Sequence, residues 1–418
     1  MCPVFAGSLK KVSMPKVLKA FILTLSGMLG IFIVAGGLGV RAASNTNEGA
    51  YRQLGVYSEV MQRIKNEYVE EPNIDAVTSG ALHGLLESLD PNSSYLSPAE
   101  YKSYQEHKNM QGNIGVVVSK RFGYATLVSV IPGGPADHAG LESGTILESI
   151  NSQNTRELPL EAIRNSLSGQ PGSTVAMEVV RPRKVAPERL SLQRAVVAMP
   201  AAVEKTYEGS SIGYINPETL TKGKSEEIAN RIKSLQRNGA KKLILDLRNV
   251  ANGDIDEGVA VANLFLDHGT ITYLEGQKFP KQTFNADPKK DITSLPLVVL
   301  INRSTSGAAE VVASAILANN RGDVVGEKSF GDASVQKLIE VGDGSAVILS
   351  IAKYYSPDGK AFQDNAVTPN IFVASNDDDN AVPDDEEQPE KTVETPRKTN
   401  AEDEPLNRAI QILKQKAS

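Results

Sequence analysis

From Ala20 to Val40 the chain carries no charged side chain, AFILTLSGMLGIFIVAGGLGV. As a helix rising about 1.5 Å per residue this run spans roughly 30 Å, the hydrocarbon thickness of a bilayer. Lys10, Lys11, Lys16 and Lys19 precede it, and positive charge on that side predicts a cytoplasmic N-terminus with everything after Arg41 outside. VRAAS at 40–44 has the small residues of a cleavage site, so residues 1–43 are expected to be a long signal peptide or a retained anchor that meets the membrane through residues 20–40. Residues 44–110 then take up helical spacing. Val60, Ile64 and Val69 recur in YSEVMQRIKNEYV, SGALHGLLESL offers a second apolar face, and DPNSSYLSPAEY interrupts the pattern before a helix restarts near Pro98.

Residues 111–199 change to β-branched runs: GNIGVVVSK, YATLVSVIPGG, GTILESINS and STVAMEVVR read as strands, with short helices at PADHAGL and LPLEAIRNSLSG. From 200 to 375 strands alternate with helices: SIGYINP, SEEIANRIKSLQRNG, KKLILDLRN, EGVAVANLFLD, LPLVVLIN and AEVVASAILANN, followed by strands in DVVGEKSFG and GSAVILSIAKYYSPDG. Strands apolar on both faces, such as Leu297 to Ile301, predict an α/β core around a buried sheet. Residues 376–402, with NDDDNAVPDDEEQPEKTVETPRKT running across their start, predict an acidic disordered linker. In 403–418 a short amphipathic helix gathers Leu406, Ala409, Ile410 and Leu413 on one face, which can cover the body of the protein, cover a partner chain, or fray. The chain as a whole is predicted to be multidomain α+β: membrane segment, small helical module, β-rich domain, α/β core, acidic linker and C-terminal helix.

Charge and composition narrow the function. With 44 basic against 50 acidic residues the net charge is -6, so no basic field draws nucleic acid. Cys2 is the sole cysteine, which excludes an internal disulfide and a Cys-rich zinc site, and His83, His107, His138 and His268 lie far apart. No metal and no cofactor is expected.

The order GNIG, IPGGPADHAGLESGTILESIN, LSGQPGSTVAMEVVR resembles a PDZ domain over nearly its whole length. In that family a Gly-containing loop presents backbone N–H groups to the terminal carboxylate of a peptide that extends the sheet edge. The resemblance places this loop at Gly112, Asn113, Ile114 and Gly115, and glycines do let backbone donors converge on an anion without a Cβ in the way. Thr145 departs from the Asp usual after Gly144. Over residues 51–373 the chain also resembles the C-terminal processing peptidases, or tail-specific proteases. LLESLDPNSSYLSP, LILDLRN, GEKSFGDASVQ and YYSPDGKAFQ carry that resemblance in order.

Members of that family cleave proteins near their C-termini with a serine nucleophile and a lysine base, which works when partial desolvation removes the lysine's charge near neutral pH. The resemblance implies a nucleophile three residues before Glu310, where this chain has Gly307. It implies a lysine where this chain has Asp332, followed by a glutamine at Gln336, and a Pro-Gly-Gly oxyanion loop where this chain has RNVANGD, with Gly253 retained. Both catalytic groups are missing. A displaced Ser306/Lys328 dyad would require the helix start and the neighbouring strand to rearrange. Ser304 and Ser306 read instead as helix caps, and Asp246 with Arg248 as a structural ion pair.

The reading that follows is a membrane-targeted, exported homologue of the serine peptidases that has lost its dyad. It would bind C-terminal tails of exported proteins, or regulate an active relative, on the outer side of the cytoplasmic membrane. Two rivals stand beside it: an active serine endopeptidase with a displaced nucleophile, and a structural assembly component whose C-terminal helix and PDZ-like domain make oligomer contacts.

Overall fold

The computed structural model describes residues 47–209, 211–374 and 403–416, divided after Val77 into two compact units. The expected membrane segment and acidic linker lie outside the described residues. Among the described residues no helix is long and apolar enough to cross a membrane.

The first unit holds α1 (Asn47–Glu67) and the first turn of α2 (Ile74–Glu87). Arg63 pairs with Glu59 and Glu67 one turn to either side, at 3.4 and 3.2 Å, supporting α1 from its polar face. The side chain of Asn73 accepts the Ala76 amide at 3.0 Å and starts α2.

The second unit continues with β1 (Ser94–Leu96) and α3 (Pro98–His107). The expected restart at Pro98 is present, and it is closed by a capping box between Ser97 and Glu100. The β-rich domain then comprises β2 (Gly112–Asn113), β3 (Val116–Arg121), β4 (Tyr124–Val130), α4 (Pro135–His138), β5 (Ile146–Ile150), β6 (Gln153–Asn154), α5 (Leu160–Leu167), β7 (Thr174–Val180), β8 (Glu188–Gln193) and β9 (Ala195–Val196). Its main sheet has the order β3-β4-β5-β7-β8, all antiparallel, which leaves β3 at an edge. Ile114, Leu127, Leu147, Ile163 and Val175 fill its core. β8 is absent from the sequence-based expectation because ERLSLQ has only Leu190 and Leu192 to pack inward, both partly buried.

The core domain comprises β10 (Val203–Tyr207), β11 (Ile212–Asn216), α6 (Lys224–Arg237), β12 (Lys242–Asp246), α7 (Ile255–Asn263), β13 (Thr270–Glu275), β14 (Gln282–Asn285), β15 (Leu297–Ile301), α8 (Ala308–Ala318), β16 (Asp323–Gly326), β17 (Ser334–Glu340), β18 (Ala346–Tyr355), α9 (Phe362–Asn365), β19 (Ile371–Phe372) and α10 (Glu404–Gln415). The predicted buried sheet has the order β10-β11-β12-β15-β16-β19, parallel except for β10. Leu243, Leu245, Val299 and Ile301 pack with α6, α7 and α8 on one face. Ile244, Val298 and Leu300 point to the other, which accounts for strands apolar on both sides. A second sheet, β1-β18-β13-β14 with β17 on the free side of β18, carries the chain back toward the helical module. Gly258 lets α7 cross the start of α8: a Cβ there would lie 2.5 Å from the Ala308 carbonyl oxygen.

α10 covers the second face of the core sheet, so the C-terminal helix docks on its own chain. Ala409 and Leu413 are fully buried against Tyr214, Ile244, Val298, Leu300 and Val325. Its first turn is held by Asp403, which accepts the Leu406 amide and takes both terminal nitrogens of Arg248, at 2.7 and 2.9 Å. Arg248 in turn binds Asp246 at 2.6 Å, as the sequence suggested. Lys242 donates to the carbonyls of Leu413 and Lys416 at the other end. A 12-residue helix is marginal alone in water, so these end contacts decide whether it stays. Replacing Asp403 by Ala removes both the cap and the ion pair, at a cost of about 1–2 kcal/mol to the docked helix. Amide hydrogen exchange over 406–415 is expected to rise roughly tenfold, while exchange in β12 and β15 stays unchanged.

Candidate functional site

Five buried aliphatic residues of β15 end at Asn302, and α8 begins at Ala308. The intervening turn is fixed to the loop after β12. The Asn249 backbone amide donates to the Asn302 side-chain oxygen at 3.0 Å, the Asn302 side-chain amide donates to the Asn249 side-chain oxygen at 2.9 Å, Thr305 donates its hydroxyl to the Leu247 carbonyl at 2.8 Å, and the Ser306 amide donates to the Val250 carbonyl at 3.0 Å. This leaves Gly307 as the N-cap of α8 with φ 59° and ψ -115°. An L-residue holds a backbone in such a sparsely populated region only at a cost on the order of 1–3 kcal/mol. Space is not the restriction: a Cβ on Gly307 would have only the Asp332 carbonyl oxygen near it, at 3.6 Å.

The group that gathers this region is Glu310. Its side chain is fully buried one turn into α8, and its carboxylate accepts four hydrogen bonds. Its Oε2 accepts the Gly307 and Asp332 amides, each at 3.0 Å, and its Oε1 accepts the Gly331 amide at 2.8 Å and the Ser329 hydroxyl. Burial pushes this carboxyl up to about 7, against four bonds that each favour the ionised form. One carboxylate thus ties the N-cap turn to the segment entering β17, and it brings Gly307 and Asp332 side by side.

Asp332 faces polar company. Asn92 donates its amide to the Asp332 carboxylate at 2.6 Å, and Arg164 donates to the Asn92 side-chain oxygen at 3.1 Å. The same Arg164 nitrogen lies 3.4 Å from the Val118 carbonyl on the edge strand β3. Burial raises the Asp332 carboxyl, with the charge of Asp90 acting in the same direction, while Arg164 and the Asn92 bond oppose them. A chain of contacts therefore runs from the PDZ-like domain to the position where a lysine base would stand. Gln336, on the exposed start of β17, donates to Ser334 at 2.7 Å and reaches Ser350 at 3.4 Å. Arg121, at the end of β3, donates to the Phe330 carbonyl at 2.8 Å and lies 4.5 Å over the Phe330 ring. Ser143 and Ser304 are hydrogen-bonded through their hydroxyls.

Ser306 is buried in the turn, whereas Lys328 is exposed and lacks the burial that a lysine base requires. Ser304 and Ser306 are not the cap; that position belongs to Gly307, and Ser304 is engaged with Ser143. The hydroxyl of Ser329 does face a carboxylate, but both groups are buried and Ser329 also accepts the Val367 amide at 2.7 Å, so the pair is structural. Gly253 keeps its loop in place by close approach, since a Cβ would lie 2.6 Å from the Cβ of Leu220. The Leu220 amide and carbonyl bond to Asn252 and Asp254 on either side of it.

The loop from Gly112 to Gly115 differs from the open nest that its glycines suggest. The Gly112 amide donates to the Gly169 carbonyl at 3.0 Å, and the Gly115 amide to the Asn113 side chain at 2.8 Å. Gly112 is required for that first contact, because a Cβ would meet the Gly169 oxygen at 2.6 Å. Ile114 points inward and is fully buried. Two of the four expected donors are thus already used inside the domain.

Sequence reasoning passed over Asn92, Arg164 and Arg121, and it used Glu310 only as a position marker. The available signal for Glu310 was an acid three residues after a small-residue turn, the spacing of a capping box. Asn92 and Asp332 stand 240 positions apart, and nothing in either segment names the other.

Comparison with known proteins agrees with this architecture. Residues 211–373 match the model of peptidase family S41, and residues 126–181 match a PDZ domain. A carboxy-terminal-processing protease of Bartonella bacilliformis is 29% identical over 353 residues, covering 82% of this chain and 81% of that protein. A carboxyl-terminal-processing protease of Picosynechococcus sp. is 31% identical over 283 residues, 66% of this chain and 68% of the relative. The fold matches that of the photosystem II D1 C-terminal processing protease with a TM-score of 0.62 at 23% identity, over 76% of this chain and 92% of that one.

The raised Glu310 carboxyl has a measurable consequence. Between the ordinary value of 4.5 and the folded value of about 7 the folded chain holds a proton that the unfolded chain has released. Stability on this account falls as pH rises through that window and is level above it. Urea denaturation between pH 4.5 and 8 should show this slope, and Glu310→Gln should flatten it. The same variant should cost about 1–3 kcal/mol at pH 5, because an amide –NH2 would then face one of the donors.

Proposed function

This chain belongs to peptidase family S41, the family of the carboxy-terminal-processing proteases, and from that membership we propose that it is a non-catalytic member that binds peptide tails. The observation that carries the proposal is the pairing of Gly307 with Asp332 around Glu310. At the one turn where the family resemblance calls for a nucleophile there is no side chain, and beside it a carboxylate takes the place of the base. When ionised, a carboxyl at that point opposes an oxyanion instead of stabilising one. Ser306 and Lys328 differ too much in burial to replace the missing pair.

What remains is binding apparatus. β3 ends its sheet, and its outer edge offers main-chain groups to an extended peptide, as in β-strand addition. The side of that edge is lined by α5, whose Arg164 reaches the Val118 carbonyl. Tails of proteins exported across the cytoplasmic membrane are the proposed ligands. The uncharged run from Ala20 to Val40, with lysines before it, supports export or anchoring with the bulk of the chain outside.

Peptides ending in small apolar residues, each made with a free and with an amidated C-terminus, test the reading by fluorescence anisotropy. Free-carboxyl peptides are expected to bind roughly tenfold or more tightly, as a charge-assisted hydrogen bond implies. Equal affinity of the two forms would remove the terminal carboxylate from recognition.

A further inference from the structure

The loop between β12 and α7 is pinned on both sides of Gly253. The Asn252 carbonyl accepts the Leu220 amide at 2.8 Å, and the Asp254 amide donates to the Leu220 carbonyl at 2.9 Å. This parallel bridge uses the groups that flank Gly253 and turns the Gly253 amide away from Leu220. Among the described residues that amide donates to no acceptor, and Gly253 is exposed. Immediately before it stands Asn252, whose side-chain amide donates only to the Met199 sulfur, at 3.5 Å, a weak acceptor. An unengaged main-chain nitrogen therefore follows directly on a loosely held side-chain amide.

A main-chain nitrogen can attack the side-chain carbonyl carbon of the asparagine before it and close a cyclic imide. Glycine at the attacking position hinders the approach least, because it has no Cβ. An amide already bonded to an acceptor must first lose that bond, so the fold decides which Asn-Gly pair reacts. The chain has two such pairs, 238–239 and 252–253, and both glycines are exposed. They differ in engagement. The Gly239 amide closes a turn on the Gln236 carbonyl at 3.1 Å, while Asn238 is the C-cap of α6.

We propose that Asn252 is a site of spontaneous deamidation, in which the free Gly253 amide displaces ammonia from the Asn252 side chain and water reopens the ring. The bond from the Gly253 nitrogen to the Asn252 Cγ forms, the Cγ–Nδ2 bond breaks, and the proton of the attacking nitrogen leaves with the ammonia. Water then adds to one of the two ring carbonyls. Cleavage of the new bond gives aspartate at 252. Cleavage of the original peptide bond gives isoaspartate, whose main chain runs through Cβ and Cγ and is one atom longer. Both products place a carboxylate where Met199 now meets an amide. Isoaspartate also breaks the bridge, because the two bonds of Leu220 are spaced for an ordinary main chain and Gly253 fits so closely that a Cβ would lie 2.6 Å from the Cβ of Leu220.

Incubating the purified full chain in detergent at mildly alkaline pH, with the products located by peptide mass spectrometry, tests the assignment. Conversion at Asn252 should run at least roughly fivefold faster than at Asn238, the ratio that one turn hydrogen bond corresponds to. In urea, where both amides are released from the fold, the two sites should convert at similar rates. Asn252→Gln should remove the fast product and leave the rate at Asn238 unchanged. Equal or reversed rates in the folded chain, a preference for Asn252 that persists undiminished in urea, or no conversion at either site would overturn the proposal.

Discussion

A single buried carboxylate organises the cleft. Glu310 is fully buried, and burial of a carboxyl costs several kcal/mol unless donors replace the lost hydration. Four donors do so, and they come from two separate segments, the turn before α8 and the strand entry at 329–332. The requirement to satisfy Glu310 therefore dictates where Gly307 and Asp332 sit. Gly307 meets that requirement with a positive φ of 59°, its amide donating to the carboxylate three residues on.

With the turn fixed, the neighbouring substitutions change what it does. A lysine at 332 would place a cation beside Arg164; an aspartate instead accepts from Asn92, which accepts from Arg164. Asp332 thereby becomes part of the fastening between the core and the PDZ-like domain, together with Arg121 on Phe330 and Ser143 on Ser304. The edge of β3 stays at the end of its sheet, where an extended peptide can add a strand. The ion-paired clamp of Asp246, Arg248 and Asp403 holds α10 against one face of the core sheet.

Much of this was legible in the sequence, for identifiable reasons. The alternation of apolar strands and helices gave the core, because β12 and β15 must be buried on both faces. Gly307 and Asp332 were found by counting from motifs that lie within a few residues of them. Asp246 and Arg248 were read as a structural pair because they are two positions apart at a strand end. Long-range contacts were hidden. An amphipathic C-terminal helix announces that something covers it without naming the covering surface, and only the fold shows Tyr214 and Val298 beneath Ala409 and Leu413. The glycines at 112 and 115 suggested open donors, yet Gly169 and the Asn113 side chain already accept from them. SVQKLIE was not read as a strand because β17 is exposed along most of its length and gains its place from β18 alone.

On the proposed reading the cleft around Glu310 holds no working nucleophile. The most direct measurement incubates the purified full chain with an unfolded protein and with a peptide ending in small apolar residues, and follows both by mass spectrometry beside an active family member. The account predicts that the relative cuts and this chain leaves both substrates intact. Products from this chain that disappear on Ser306→Ala would contradict it and place a nucleophile one residue from Gly307.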